Sequence, residues 1–232
     1  MKGEIEPQPP PYDETTNAQP PVNRQFPPSF GLYTESMLGR KMMLGAHQSQ
    51  PLYAVSVHSG WSGKPSTILH SGPSDKDPPL ATADTFTFGR SSTVELPPLA
   101  ANAAGGVSVE HVTVTGVFHK VMSFVIEVAA TGQRESFEWR HSRGSEVAAL
   151  GASHSGWKLV RLGTGEVVAA WANSSMSITK QLQFHFLGSG ANGILGERWA
   201  VMAVITALRM WDMERRQRSS AAGASGGGGG GG

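Results

Sequence analysis

The sequence predicts a mainly β fold: a closed or nearly closed antiparallel β-barrel enclosing one hydrophobic C-terminal α-helix. Three observations predict it. Short apolar and β-branched runs recur with turn residues between them. No helical period long enough to serve as a parallel crossover lies between those runs. The segment Trp199–Trp211 is apolar on nearly every face, so it must be surrounded on all sides.

Residues 1–28 are rich in Pro, Gln and acidic groups with almost nothing to bury, and read as a disordered arm. A domain over 29–217 follows. Leu52-Tyr53-Ala54-Val55-Ser56-Val57 stops at His58-Ser59-Gly60-Trp61, and Thr67-Ile68-Leu69-His70 stops at Ser71-Gly72-Pro73. Further strands are expected over Val107–Thr115, Met122–Val128, Glu135–His141, Trp157–Leu162, Val167–Trp171 and Gln181–Leu187. In the last, Leu182, Phe184 and Phe186 fall on one face and Gln181, Gln183 and His185 on the other, the pattern of a half-buried strand.

Gly188-Ser189-Gly190-Ala191-Asn192-Gly193 then leads into a helix from about Gly196 to Arg216. Its apolar part reaches only about 20 Å, against roughly 30 Å of hydrocarbon, and Thr206 and Arg209 interrupt it. A barrel interior has to be filled, and an all-round apolar helix fills it. Glu214-Arg215-Arg216-Gln217-Arg218 turns cationic, as a helix C-terminus favours. Residues 218–232 close in an unbroken glycine run and read as a flexible tail.

Composition narrows the function classes. The 232 residues are 39% hydrophobic and 16% charged, enough for one core. A net charge of +1 gives no electrostatic footprint for nucleic acid. The chain has no cysteine, which excludes disulfides, thiol catalysis and Cys-based zinc sites. With no apolar leader after Met1, the expected location is intracellular, cytoplasmic or peripheral at a membrane.

Gln50-Pro51-Leu52-Tyr53-Ala54-Val55, Phe137-Glu138-Trp139-Arg140-His141, Gly156-Trp157-Lys158-Leu159-Val160 and Gly196-Glu197-Arg198-Trp199-Ala200-Val201-Met202-Ala203 resemble the tubby C-terminal-like superfamily. That superfamily includes tubby-like, LURP-one-related and phospholipid scramblase proteins, and these segments look like a branch associated with filamentous fungi. The resemblance covers about residues 29–217 and implies a twelve-stranded barrel threaded by the helix. It also implies binding of an anionic, phosphoinositide-like membrane lipid, with no lipid-binding residue carried over. Scramblases share a Pro-rich arm, so a membrane-associated scramblase-like role, with the helix inserted, stands as an alternative. A calcium site needs clustered acidic oxygens, and Asp75-Lys76-Asp77-Pro78 places a lysine among them.

The sharpest motif is Pro9-Pro10-Pro11-Tyr12, a PPxY sequence. Polyproline II is favoured there, so a WW domain, such as that of a ubiquitin ligase, can grip Pro9 and Pro10 between aromatic rings and take Tyr12 in a second pocket. Gly188–Gly193 also matches the dinucleotide fingerprint. No second strand and acidic residue follow to complete a Rossmann unit, so a turn feeding the helix is the expectation. His-Ser-Gly-Trp occurs twice, at His58–Trp61 and His154–Trp157, and reads as two turns with Gly supplying unusual φ and Trp packing at a barrel end. The eight histidines show no close ligand pairing, no nucleophile elbow appears, and Glu127, Glu135 and Glu138 read as outward-facing strand residues. The expectation is a non-enzymatic binding module without cofactor or metal. An enzyme with Ser, His and acid brought together at the barrel mouth is the other alternative.

Overall fold

The structure is a computed structural model that describes residues 25–35, 41–59, 62–84, 91–98, 107–116, 121–174 and 177–225. Twelve strands among these residues form one closed antiparallel barrel. In chain order they are β1 (Ser29–Thr34), β2 (Met42–Gly45), β3 (Pro51–Val57), β4 (Thr67–His70), β5 (Pro79–Ala83) and β6 (Ser91–Leu96). There follow β7 (Ser108–Thr115), β8 (Val121–Val128), β9 (Gln133–Ser142), β10 (Gly156–Arg161), β11 (Val167–Asn173) and β12 (Lys180–Phe186). Each strand pairs with its sequence neighbours, and β1 closes the ring against β12, with Phe30 opposite Phe184. Three helices among the described residues accompany them: α1 (Ser145–Ala148), α2 (Gly188–Ala191) and α3 (Glu197–Ser225).

Every residue of α3 from Val201 to Asp212 is buried, more than three turns of helix with no solvent-facing side. These residues pack with inward side chains from around the ring, among them Leu69 of β4, Ala81 of β5, Phe124 of β8, Trp139 of β9 and Phe184 of β12. The polar residues that interrupt the apolar stretch find partners inside the barrel. Thr206 Oγ1 accepts a hydrogen bond from Trp139 Nε1 at 2.9 Å, and its own proton goes to Met202 O at 2.7 Å. Arg209 pairs with Asp212 one turn on.

On β12, Leu182, Phe184 and Phe186 face the core and Gln181, Gln183 and His185 are half-exposed, the register that alternation implies. Phe184 stacks on Phe30 at 4.8 Å and meets Phe186 edge-on at 4.9 Å. The glycine-rich link before α3 is a packing requirement. A Cβ on Gly190 would lie 2.3 Å from Val168 O and 2.7 Å from the Trp199 ring. Gly196 has φ of 91°, a conformation that favours glycine, and Ala129 N–H donates to Leu195 O beside it.

Four expectations change. Phe26, inside the supposed arm, is buried against Phe30, Tyr53 and Phe186, so order begins by residue 25. The helix runs on to Ser225, through the first residues of the supposed tail, because a helix already nucleated propagates at little cost through Arg, Ser and Ala. Glu214–Arg218 is therefore not at the helix end, and the macrodipole does not explain its charge. Glu135 shares its parity with Phe137 and Trp139, on the inward side of β9, where Arg161 takes its carboxylate in two hydrogen bonds of 2.6 and 2.7 Å. Gly156 has no positive φ. It is needed because a Cβ there would lie 2.4 Å from Trp171 O.

Candidate functional site

The helix enters the barrel where β8 ends and leaves it where β3 ends and β10 begins, and polar side chains concentrate at these two mouths. At the exit mouth Asp212 is fully buried. Its carboxylate accepts from Arg209 Nη1 at 3.2 Å, Arg215 Nη2 at 3.0 Å and Arg216 Nε at 2.7 Å. The spacing is i−3, i+3 and i+4 on one helix, which brings all three guanidinium groups to one side of α3. Burial works against the charge of Arg209, and Asp212 opposes that effect.

Around this centre the rim is tied to the barrel wall. Arg216 Nη2 donates to His58 O at 2.7 Å. Glu214 accepts from Trp157 Nε1 at 2.7 Å and from Asn173 Nδ2 at 2.8 Å, and Arg218 donates to Asn173 Oδ1 at 3.2 Å. Trp157 thus packs at a barrel end, as its motif implies; the paired Gly60 and Trp61 lie outside the described residues. Arg215 lies over the Trp211 ring at 5.4 Å. His58 is held below its ordinary pKa by burial, then by the Lys64 ammonium and by His70. Lys64, Arg215 and Arg218 are exposed and Arg216 partly so, with Asp84, Asp212 and Glu214 as neighbouring carboxylates. The exit mouth is a collar with an excess of positive charge.

The entry mouth repeats the theme with a carboxylate between two guanidinium groups, drawn here from different elements. The ladder joining β7 to β8 runs from Thr115–Val121 to Val112–Phe124, and Ser108–His111 lies beyond it. β6 and β5 likewise pair only at Thr82–Glu95 and Ala83–Val94. The β6–β7 hairpin therefore stands away from its neighbours toward this end, with a cleft of about 340 Å³ on the β7–β8 side and one of about 290 Å³ on the β5–β6 side. Glu110 fills the gap. Its carboxylate accepts from Arg198 of α3 at 2.7 Å and from Arg134 of β9 at 2.6 Å, and Arg134 also donates to Val125 O at 2.8 Å. Arg198 also reaches Ser108 Oγ on the same hairpin at 2.7 Å.

Burial alone pushes the Glu110 carboxyl up, but hydrogen bonds and charge from Arg134 and Arg198 outweigh it and hold the group below the usual carboxylate range. A carboxyl with a lowered folded-state pKa contributes stability that is present above its unfolded value and lost as pH falls through the folded one. Glu110→Gln is expected to cost about 2 kcal/mol at neutral pH, a figure tempered by the half-exposed Arg134. Urea unfolding at neutral and at acid pH checks it: the gap between wild type and variant should shrink in acid. A gap that does not change with pH would remove Glu110 from the account.

Pro9, Pro10 and Tyr12 lie outside the described residues. Gly188–Gly193 forms α2 and its turn, with Ser189 N–H and Oγ donating to the Glu166 carboxylate at 2.7 Å each. Among the described residues no three His, Cys, Asp or Glu side chains are grouped to hold a metal ion, and no helix is long and apolar enough to cross a membrane. The Arg209–Asp212–Arg216 spacing was readable from the sequence as i, i+3 and i+7 on one helix. Glu110 gave no such signal, because its partners lie on other elements. Comparison with family models, curated proteins and solved structures finds no match to this chain.

Proposed function

We propose that this chain is a tubby-like, non-enzymatic binding module whose exit-mouth collar receives an anionic, phosphoinositide-like lipid headgroup at a membrane surface. The observation that carries the reading is the cluster of Lys64, Arg215, Arg216 and Arg218 around one end of the barrel. Guanidinium and ammonium groups suit phosphate, and each basic residue near an anionic surface is worth about 1 kcal/mol. The apolar residues of α3 are enclosed by strands, so surface attachment has more support than the scramblase-like reading, in which that helix inserts.

Lys64 and Arg218 make no hydrogen bond to the buried Asp212 carboxylate, so they can be changed without opening the core. In flotation with phosphatidylcholine vesicles, adding a phosphoinositide should carry the full-length protein upward. Lys64→Gln with Arg218→Gln should weaken that binding roughly 30-fold, two charges at about 1 kcal/mol each. Equal flotation with neutral vesicles, or an unaffected double variant, would refute the collar as the lipid site.

The arm supplies the second half of the reading, a docking peptide for a WW-domain protein such as a ubiquitin ligase. A peptide spanning Glu6 to Thr16 is expected to bind one or more ubiquitin-ligase WW domains with roughly micromolar affinity, given the small surface such a peptide buries. Tyr12→Ala should abolish binding without changing domain stability. Removing residues 1–24 should do the same, whereas a deletion through residue 28 would take Phe26 out of the core. Absence of binding across a WW panel would sink this half alone.

A further inference from the structure

Ser56 lies on the outer face of β3, opposite Ile68 of β4, while Val55 and Val57 beside it pack toward the core. The β4–β5 register slips between Leu69 and His70, and a bulge of this kind re-aims a side chain. His70 is 5% exposed. Its Nδ1 is 2.8 Å from the main-chain carbonyl of Asp77, which can only accept, so that nitrogen carries the proton. Nε2 then bears the lone pair and accepts from Ser56 Oγ at 2.9 Å.

The 71–78 segment is built to hold that carbonyl in place. Ser71 N–H donates to Pro78 O at 2.9 Å, Asp77 N–H to Ser74 O at 3.1 Å, and Ser74 N–H to Asp77 Oδ2 at 2.8 Å. Ala54 N–H donates to Gly72 O at 2.7 Å and ties the segment to β3. A Cβ on Gly72 would lie 2.4 Å from Asp77 Oδ2, so glycine leaves the room that carboxylate occupies. In front of this arrangement is a cleft of about 220 Å³ whose lining includes Ser56, Lys41, Met43, Ser74 and Asp75. The serine faces the cleft and its histidine is buried behind it.

We propose that Ser56 is a nucleophile that accepts an acyl group from a small activated ester or thioester entering this cleft. A serine hydroxyl is a weak nucleophile until an adjacent base takes its proton, and a base is effective when a third group fixes its tautomer. Ser56, His70 and the Asp77 carbonyl fill these three roles. As the bond from Ser56 Oγ to the acyl carbon forms, the hydroxyl proton passes to His70 Nε2. As the bond from that carbon to the departing oxygen or sulfur breaks, the same proton goes to the leaving alkoxide or thiolate. No electrons are exchanged with any other group. Lys41 and Asp75 both line the cleft, one cation against one carboxylate, and the Lys41 ammonium is the charge that can meet the oxyanion formed between the two events. The product is an ester on the chain, a stoichiometric modification that needs no turnover. It goes beyond lipid and WW binding and does not depend on either.

The experiment uses full-length protein, p-nitrophenyl acetate and, separately, a fluorophosphonate probe, read by intact mass and peptide mapping. The folded protein should gain one adduct on the peptide containing Ser56, about 100-fold faster than the urea-unfolded chain, as positioned base catalysis allows. Ser56→Ala should lose the adduct, and His70→Gln should slow it by a similar factor, with circular dichroism confirming the fold of each. If His70→Gln does not fold, Ser56→Ala decides, since its side chain sits on the outer face. No adduct on the folded wild type, an adduct that survives Ser56→Ala, or equal rates for folded and unfolded chains would each overturn the proposal.

Discussion

Ala203→Asp is expected to prevent the chain from folding to a recoverable protein. Ala203 is fully buried in the enclosed part of α3, where its neighbours are apolar side chains of the barrel interior. A carboxylate placed there has no cation to pair with, and an isolated charge in such a site costs more than the 5 to about 15 kcal/mol by which a domain is ordinarily stable. Protonation would lower the penalty, but the added volume would still have to be found in a close-packed core. Expression in the soluble fraction and the near-ultraviolet circular dichroism of the tryptophans report the outcome. A well-folded Ala203→Asp protein would mean that α3 is not enclosed.

Phe184→Ala is expected to cost about 3 to 5 kcal/mol, the range for truncating a fully buried aromatic side chain. Phe184 is 1% exposed, stacks on Phe30 across the β1–β12 seam, and lies edge-on to Trp139 at 6.3 Å. Its removal takes one wall from a cluster that joins the first and last strands. Urea unfolding measures the loss from the shift in midpoint at unchanged slope. A loss below about 1 kcal/mol would mean that the register of β12 differs from the one described.

Most of the barrel was legible in the chain, and the gaps have physical reasons. Thr67–His70 stands out as a short apolar and β-branched run closed by turn residues, and Leu182, Phe184 and Phe186 because they fall at the period of a strand. β1, β2, β5 and β6 carry weaker signals. β1 contains Gly31 and β5 opens with Pro79 and relies on alanines, residues with little preference for strands. β6 alternates strictly in burial, but Ser92 occupies one of its inward positions, so the hydrophobic period is concealed. The all-round apolarity of α3 gave the enclosure directly.

The sites were less legible. Glu110 lies at an inward position of β7 that sequence logic reserves for an apolar residue, and the arginines that justify it are 24 and 88 positions away. Ser56 and His70 are 14 positions apart, joined only because two strands pair with a bulge at the second. No spacing rule encodes such a contact. The arginines at the exit mouth were visible as a charge cluster, but the buried carboxylate that organises them was not singled out.

The closure of β1 on β12 sets the order in which this molecule can be made. Ser29 and Gln183, which hydrogen-bond across that seam, are 154 positions apart, and the helix that fills the ring comes after both. A ribosome adding about 5 to 20 residues per second therefore releases eleven strands before the one on which the first must close, and twelve before any of them has a core. Until α3 emerges the strands form at best an open sheet with an apolar inner face and two free edges, the condition that invites association with other chains. A nascent chain stopped short of residue 197 is expected to need a chaperone or to be degraded. Synthesis that reaches the helix converts the same strands into a closed ring without edges.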